Sequence, residues 1–319
     1  MKYKNYSLKY AKKTFKLKEN FKISRGSKSK INSVILTLYQ KKFEGIGECI
    51  PYKRYNETTG QIFNYLKKSR KISNLNNVPF LSLRKAISDA VYDIKLQQKK
   101  VSFLNIIKKK KFKTLITIPI TSKLNFIKKV KKLKNIKNIK IKLNQKNIFE
   151  YLDILKKNNP KTEIIIDANE GWDINFFRKN EMKLKNYRIK FIEQPFKATK
   201  DFKIKSYIPL CADESFHIKN QLKKLIKQYK WVNIKPDKFG DDIAVLKAIK
   251  FAKKNKFKIL LGCMVSSSQS IIPTLRYAKY CDLLDLDGAM FLKNDLKNGL
   301  TYNLDNLYYD KKFKFGYRK

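Results

Sequence analysis

The sequence has few of the residues that mark several protein classes. Its 319 residues include four cysteines, one histidine, ten glycines and eight prolines. So little glycine and proline excludes a collagen-like or low-complexity chain. The cysteines show no CxxC spacing and predict reduced thiols, with neither a disulfide framework nor a zinc site. They are Cys49, Cys211, Cys263 and Cys281.

Long apolar runs are also lacking. No stretch approaches the roughly 18 apolar residues that a membrane-spanning helix needs, so we expect no membrane partner. The first residues are basic and contain no apolar core of a secretory signal, which predicts a cytoplasmic protein. Apolar residues nevertheless make up 43% of the chain and aromatic residues 13%, enough for a large core and more than one domain.

Negative charge is scarce. Asp and Glu number 26 against 74 Lys and Arg, a formal net charge of +48. One interpretation is a nucleic-acid-binding protein, because neutralising phosphates needs many cations. The other is a lysine-rich surface. Basic residues are spread along the whole chain, with only short runs at 108–111 and 128–134, and no nucleic-acid-binding motif accompanies them. The second interpretation is favoured, and nucleic acid is not the expected partner.

Hydrophobic periodicity divides the chain into regions. Residues 34–39 alternate as in a strand, and Leu83, Ile87, Val91 and Ile94 share one helical face. These patterns predict an α+β region over residues 1–110. A barrel is predicted over 111–288, and residues 289–319 are expected to pack back on the N-terminal region.

The barrel prediction rests on eight short β-rich runs with amphipathic stretches between them. Such alternation predicts a parallel sheet, and eight units in this length suit a TIM-like (β/α) barrel. The runs are Thr114–Ile120, Ile136–Leu143, Glu163–Asp167, Lys190–Glu193, Ile208–Ala212, Trp231–Lys235, Phe257–Gly262 and Leu283–Leu286.

Charged residues end these runs at the period of the repeat. Asp167, Glu193 and Asp213 end three consecutive runs, so their carboxylates should converge where active sites of barrels lie. Three oxygen ligands suit Mg²⁺, with Mn²⁺ as the alternative. The competing interpretation is that each acid caps the helix that follows its strand.

Lysines occur in step with the acids. Lys140 and Lys142 are two residues apart on one strand and therefore point the same way. Lys235 ends the sixth strand, which lies opposite the second in a ring of eight. Each lysine alone is as well explained as basic surface, but two lysines facing each other across a metal can address both faces of one carbon.

Several fragments together resemble the enolase superfamily, in its muconate-lactonising subgroup, and within it the dipeptide epimerases. The fragments are Lys140-Ile-Lys142, Asp167-Ala-Asn-Glu-Gly-Trp172, Ile192-Glu-Gln-Pro195, Ala212-Asp-Glu-Ser215, Asn233-Ile-Lys235, Ile23-Ser-Arg-Gly-Ser27, Gly47-Glu-Cys-Ile-Pro-Tyr52 with Arg54-Tyr55, and Asp285-Leu-Asp-Gly288. The resemblance implies an α+β capping domain, a (β/α)7β barrel and a C-terminal segment that returns to the cap.

The resemblance also implies a function. It implies a Mg²⁺-dependent epimerase that interconverts L-Ala-D-Glu and L-Ala-L-Glu in murein peptide recycling. Asp167, Glu193 and Asp213 would bind one Mg²⁺. Lys142 and Lys235 would exchange the α-proton on opposite faces through a metal-stabilised enediolate.

Four further residues are implied to bind the substrate. Lys140 would contact its carboxylate, and Asp285 and Asp287 would bind the α-ammonium of the dipeptide. Arg25 would close over the site and bind the side-chain carboxylate of glutamate.

Some alternatives stay open at the level of sequence. Another reaction of the superfamily, such as that of o-succinylbenzoate synthase, would leave Asp285 and Asp287 without a role. A different dipeptide preference is a second alternative, and a nucleic-acid-binding protein with a vestigial barrel is a third. The sequence leaves the oligomeric state open, a homo-oligomer included. It departs from the family pattern at Ser266, at Pro236 and at Asp241.

Overall fold

The structure is a computed structural model that describes residues 6–68, 77–200, 204–217 and 222–317. Its N-terminal part consists of an antiparallel sheet and three helices. The strands run in the order β1-β2-β3. The elements are β1 (Ser7–Ile23), β2 (Gly26–Gln40), β3 (Phe43–Cys49), α1 (Thr59–Lys68), α2 (Leu81–Gln98) and α3 (Phe103–Ile107). The strand predicted over 34–39 lies in β2, and the predicted helical face lies in α2.

Helix α2 lies directly on the sheet. Val34, Leu36 and Leu38 of β2 are buried with the apolar face of α2 in one cluster. The close approach depends on glycine, since a Cβ atom at Gly47 would stand 1.9 Å from the carbonyl oxygen of Ala86. Sheet and helix thus form a single layered unit.

The central sheet has eight strands that follow one another in chain order. Neighbouring strands pair in parallel, for example Asp167 of one strand with Glu193 of the next. The elements, after the short strand β4 (Lys111–Lys113), are β5 (Ile116–Ile118), α4 (Lys123–Lys132), β6 (Asn138–Lys142), α5 (Ile148–Asn158), β7 (Glu163–Asp167), α6 (Ile174–Leu184), β8 (Ile189–Glu193), β9 (Leu210–Ala212), β10 (Trp231–Ile234), α7 (Asp242–Lys254), β11 (Lys258–Gly262), α8 (Ser268–Thr274) and β12 (Leu283–Asp285).

The sheet curls until its ends meet. The amide of Leu115 donates to the carbonyl of Leu284 at 2.8 Å, which brings β12 beside the start of β5. Seven of the eight predicted runs contain one of these strands, and the run Lys190–Glu193 lies within β8, which begins one residue earlier. The predicted fold class, a TIM-like barrel with an N-terminal α+β cap, is confirmed.

An apolar layer fills the barrel below the ends of the strands. Ile165 and Phe191 belong to it and stand two residues before Asp167 and Glu193, so they share the inward face with these acids. The layer consists of Leu115, Ile165, Phe191, Cys211, Trp231 and Leu260. It forms the floor on which the charged residues lie.

Helix caps account for several polar residues of the loops. Ser122 accepts a hydrogen bond from the amide of Asn125 at the start of α4. Asp241 accepts one from the amide of Ala244 at 2.9 Å and so begins α7. The departure from the family pattern at Asp241 is therefore a helix cap.

The C-terminal residues return along the barrel to the first helices. Strands β13 (Thr301–Asn303) and β14 (Asn306–Tyr308) form a sheet with β4. Phe315 then packs edge-on against Phe103 of α3. The division into residues 1–110, 111–288 and 289–319 stays a prediction. Among the described helices, none combines the length and the apolar character that crossing a membrane would require.

Candidate active site

The charged residues predicted from the strand ends lie together at the carboxyl edge of the barrel. Lys142, Asp167 and Glu193 end β6, β7 and β8, and Asp285 ends β12. Asp213 and Lys235 follow β9 and β10 by one residue. The carboxylates are almost completely buried, and Lys142 is 9% exposed. Charges at this depth must be paired.

Lys140 lies among three carboxylates. Its Nζ is 2.7 Å from Glu193 Oε2, 2.8 Å from Asp285 Oδ2 and 3.1 Å from Asp167 Oδ2. Burial acts to lower the pKa of Lys140, but these carboxylates outweigh it and hold the pKa well above its usual value. Lys140 is therefore held as a cation at neutral pH, enclosed by carboxylates of the protein itself.

Lys142 reaches the site from the same strand. Its Nζ lies 2.6 Å from Asp167 Oδ2 and 3.1 Å from Asn169 Oδ1. Phe21, near the end of β1, covers the ammonium group with its ring centroid 5.7 Å away. Burial acts to raise the pKa of Asp167, but Lys140 and Lys142 outweigh it and lower that pKa below its usual range.

Lys235 reaches the site from the opposite wall. Its Nζ is 2.6 Å from Asp213 Oδ2. Its backbone is extended, with φ −107° and ψ 116°, as expected for the residue before Pro236. Burial acts to lower the pKa of Lys235, whereas Asp213 and Glu193 raise it, and the net effect is a strong increase.

Lys238 is a buried lysine that the sequence did not single out. Its Nζ donates to Asp213 Oδ1 at 2.6 Å and to the carbonyl of Asn233 at 2.9 Å, and it also contacts the carbonyl of Asp213. Burial acts to raise the pKa of Asp213, but Lys235 and Lys238 together hold it well below its usual range. Lys238 follows Lys235 by one turn, which is no distinguishing signal in so lysine-rich a chain.

Gln194 fixes the loop that carries Asp213. Its side-chain oxygen accepts from the amides of Asp213 and Ser215, each at 3.0 Å. Its Nε2 donates to the carbonyl of Phe196 at 2.8 Å. Both the oxygen and the nitrogen of the amide are thus hydrogen-bonded, so Gln194 fixes the backbone position from which the carboxylate of Asp213 extends.

Glu193 lies close to the negative charges of two other carboxylates. Its Oε1 accepts from Asn233 Nδ2 at 2.8 Å. Burial, helped by the charges of Asp167 and Asp213 and opposed by Lys140, raises the pKa of Glu193 to about 7. An additional cation beside these carboxylates would stabilise the ionised form of Glu193 and lower this pKa.

The three carboxylates fit a hard divalent cation by their chemistry. All are oxygen donors on neighbouring strands, which suits Mg²⁺ or Mn²⁺. Within the described ranges, no group of three or more His, Cys, Asp or Glu side chains is already arranged around one ion position. Lysine ammonium groups lie against the acids instead, so the metal assignment stays a prediction.

The acids after β12 differ in their partners. Asp285 pairs with Lys140 through Oδ2, while its buried Oδ1 accepts no hydrogen bond from the described residues. Asp287 Oδ2 accepts from the amide of Thr117 at 2.7 Å. Burial and the charge of Asp285 raise the pKa of Asp287 to about 7. The formal negative charge of this pair exceeds what the one lysine beside it, Lys140, can balance.

Arg25 lies in the two-residue turn between β1 and β2 and reaches the edge of the site. Its guanidinium contacts the carboxylates of Glu170, at 2.9 Å, and Glu214, at 2.6 Å. Neither acid was singled out from the sequence. A cavity of about 440 Å³ opens beside Lys142, with Lys22 and Tyr151 among its lining residues.

The chain is similar to proteins of known family. A family model described as enolase C-terminal domain-like matches residues 125–287. The chain is similar to an N-acetyl-D-glutamate racemase of Pseudoalteromonas sp., with 30% identity over 84% of this chain and 90% of that protein. It is also similar to the L-Ala-D/L-Glu epimerase of Escherichia coli K12, with 28% identity over 95% and 99% of the two chains.

A solved structure resembles the whole molecule. It is an enolase family member from Agrobacterium tumefaciens with homology to dipeptide epimerases, with bound sodium and L-Ala-L-Glu. The match has a TM-score of 0.89 and 27% identity, and it covers 98% of this chain and 100% of that one. The similarity therefore includes the cap as well as the barrel.

Proposed function

The chain belongs to the enolase superfamily and is an isomerase of the racemase and epimerase class, and on this basis we propose that it epimerises dipeptides. The substrate we propose is L-Ala-D-Glu, interconverted with L-Ala-L-Glu. We also propose that the protein acts in cytoplasmic recycling of murein peptides, on the basis of its resemblance to the dipeptide epimerases.

One observation carries the proposal: two lysines approach one group of carboxylates from opposite walls. Lys142 pairs with Asp167, and Lys235 pairs with Asp213. Their strands, β6 and β10, stand four places apart in a sheet of eight, which is half of the ring. A carbon held between them would present one face to each lysine.

Epimerisation needs one proton acceptor and one proton donor. Lys142 would take the α-proton from one stereoisomer while Lys235, charged, returns a proton to the other face. In the reverse direction the two exchange roles, and Lys235 must then be neutral; Mg²⁺ bound to Asp213 would favour this by offsetting the charge that raises the pKa of Lys235. Lys140, surrounded by carboxylates, keeps its own proton and supplies fixed positive charge to the substrate carboxylate.

Asp167, Glu193 and Asp213 are the residues that would hold Mg²⁺. The ion would hold the substrate carboxylate and stabilise the negative charge that develops when the α-proton leaves. Gln194 and Lys238 would keep Asp213 in place for this task. Asn233 would do the same for Glu193.

The free amino group explains why a dipeptide is proposed. Asp285 and Asp287 form a buried acidic pair in which only Asp285 has a lysine partner among the described residues. An ammonium group would supply the second cation. An N-acylated amino acid carries no charge there and would leave Asp287 unpaired.

The test is proton exchange in D2O. The enzyme is incubated with L-Ala-L-Glu and Mg²⁺, and deuterium at the glutamate α-carbon is followed by NMR. We expect exchange together with formation of L-Ala-D-Glu, and loss of both when EDTA removes the metal. No exchange at that carbon in the presence of Mg²⁺ or Mn²⁺ would overturn L-Ala-Glu as the substrate, and no exchange with any dipeptide of a library would overturn the epimerase assignment.

Parallel substrates separate the alternatives. Faster exchange with N-acetyl-glutamate than with L-Ala-L-Glu would replace the dipeptide by an N-acylated amino acid. Exchange confined to another dipeptide of a library would change only the preference. Turnover of the o-succinylbenzoate synthase substrate alone would assign a dehydration and leave Asp285 and Asp287 without a role.

A further inference from the structure

Arg25 is held by two acids of the protein itself. Its Nη1 lies 2.9 Å from Glu170 Oε2 and its Nη2 lies 2.6 Å from Glu214 Oε1. Nη1 also donates to the carbonyl of Asn169 at 2.9 Å. A guanidinium recognises carboxylates in this way whether they belong to the chain or to a ligand. A substrate carboxylate at Arg25 must therefore compete with Glu170 and Glu214.

Glu170 is itself shared between two arginines of the cap. Arg54 Nε and Nη2 donate to its two oxygens at 3.0 and 2.7 Å, and the amide of Ala198 donates to Oε1 at 2.8 Å. Two arginines thus face two glutamates, Glu170 and Glu214, and the formal charges cancel. The mouth of the site is electrically neutral at this point despite the basic surface around it.

The turn that carries Glu170 is fixed against the cap. Asn169 and Glu170 adopt left-handed backbone angles, with φ 45° and 64°, which non-glycine residues adopt at an energetic cost. Ser24 Oγ donates to the carbonyl of Ala168 at 2.7 Å. A Cβ at Gly171 would stand 2.6 Å from the same Ser24 oxygen. Glu170 is thereby directed at Arg25 by the backbone.

Arg25 is linked to both candidate bases through residues that it contacts directly. The residue whose carbonyl binds Arg25, Asn169, contacts Lys142 Nζ through its side chain at 3.1 Å. Glu214, the other partner of Arg25, directly follows Asp213, which binds Lys235. Arg25 thus bridges the loops on both sides of the position where the reacting carbon would lie.

We propose that Glu170 is a specificity-determining residue: by neutralising Arg25 it reduces the preference of the site for acidic side chains at the epimerised residue. This inference rests on the proposed function. The wild-type protein should favour L-Ala-L-Glu over its neutral isostere L-Ala-L-Gln only moderately. Removing the charge of Glu170 leaves Arg25 and Arg54 with a net positive charge and should sharpen that preference.

The measured quantity is the ratio of kcat/KM for L-Ala-L-Glu to that for L-Ala-L-Gln, by polarimetry or α-proton exchange. Glu170→Gln should raise this ratio about tenfold, the scale expected for one charge near a partly solvated site. Arg54→Gln should lower the ratio, because Glu170 then loses one of its two arginine partners and its negative charge offsets the positive charge of Arg25 more fully. Raising the salt concentration should shrink both changes.

The matched control is Glu163→Gln. Glu163 begins the strand that ends at Asp167 and pairs with Lys190 at 2.7 Å, at the far end of the barrel. This variant loses the same charge as Glu170→Gln, and its ratio should stay within about twofold of the wild type. An equal rise in both variants would show an effect of overall charge and overturn the inference.

The remaining outcomes are also decisive. An unchanged or lower ratio in folded Glu170→Gln overturns the inference. An unchanged or higher ratio in Arg54→Gln overturns it as well. The second variant therefore tests the inference even if Glu170→Gln does not fold. In both cases the proposed function stands as long as either dipeptide reacts. Absence of exchange with both dipeptides in the wild-type enzyme overturns the proposed substrate and this inference together.

Discussion

The two candidate bases, Lys142 and Lys235, should have separable roles. Replacing Lys142 or Lys235 by Met should each reduce epimerisation about 10³-fold, within the range usual for a lost acid or base. The remaining lysine still faces one side of the carbon. Each variant should therefore exchange the α-proton of only one stereoisomer with D2O, and the two variants should retain opposite stereoisomers.

The control for this pair is Lys157→Met, which removes an exposed lysine of α5. It should epimerise like the wild type. Exchange of both stereoisomers in Lys142→Met, or of the same stereoisomer in both variants, would contradict a mechanism with one base on each face.

Among single residues, the sequence predicted those that recur at the same place, the end of the strand, in successive βα repeats. Asp167, Glu193 and Asp213 stand out because an acid after an apolar strand is unusual and recurs in step. Lys238 and Gln194 could not be found in that way. Lys238 is one lysine among many, and its burial against Asp213 depends on the turn after Pro236. Contacts between distant segments, such as Arg25 with Glu170, leave no spacing pattern.

Among the elements, the barrel strands were predictable and the first strand of the cap was not. The barrel strands are buried on both faces and appear as short apolar runs. Strand β1 is largely exposed and carries many lysines, so its alternation is weak. Its partner β2 holds it in place through pairs from Ser7 with Tyr39 to Ile23 with Gly26. Tertiary pairing therefore decides this element.

The contact between β3 and α2 should tolerate no side chain at Gly47. The new methyl group of Gly47→Ala would collide with the Ala86 carbonyl, which belongs to a helix and cannot move aside. We expect a loss of about 3 kcal/mol or more in the free energy of unfolding, the upper range for overpacking. Urea unfolding followed by circular dichroism measures it.

A second glycine gives the matched comparison. Gly60 lies in α1, and a Cβ there would meet no atom within 4 Å. Gly60→Ala should therefore stabilise the protein by up to about 1 kcal/mol, because alanine favours the helix. Equal effects of the two substitutions would show that β3 and α2 are less tightly packed than described.

For the molecule as a whole, charge and architecture are nearly independent. Most of the excess lysines lie on the exposed surface, whereas the four lysines of the site are paired with acids in a buried cluster. The net charge of +48 therefore gave no information about the fold. Buried acids in and beside this cluster contribute to how the stability of the protein depends on pH.

Asp287 should make the folded protein less stable as the pH rises from about 4 to 7. Its pKa is raised from 3.8 to about 7 in the folded state. Between these values the folded state binds a proton that the unfolded state has lost, so the free energy of unfolding falls with pH. Asp287→Asn should reduce this slope in metal-free protein, where Glu193 still contributes a slope of the same sign, and should be more stable than the wild type at pH 7.5, by roughly 2–4 kcal/mol.

Asp173→Asn provides a control of opposite sign. Hydrogen bonds from the amide of Phe176 and the side chain of Gln145 lower the pKa of Asp173, so its charged form stabilises the folded state above pH 4 and loses this effect as the pH falls. Its replacement should not flatten the slope between pH 4 and 7. Unfolding of both variants in urea across this range measures the slopes. Parallel profiles for Asp287→Asn and the wild type would mean that Asp287 is ionised in the folded protein at no cost, and that a substrate ammonium is not required to balance it.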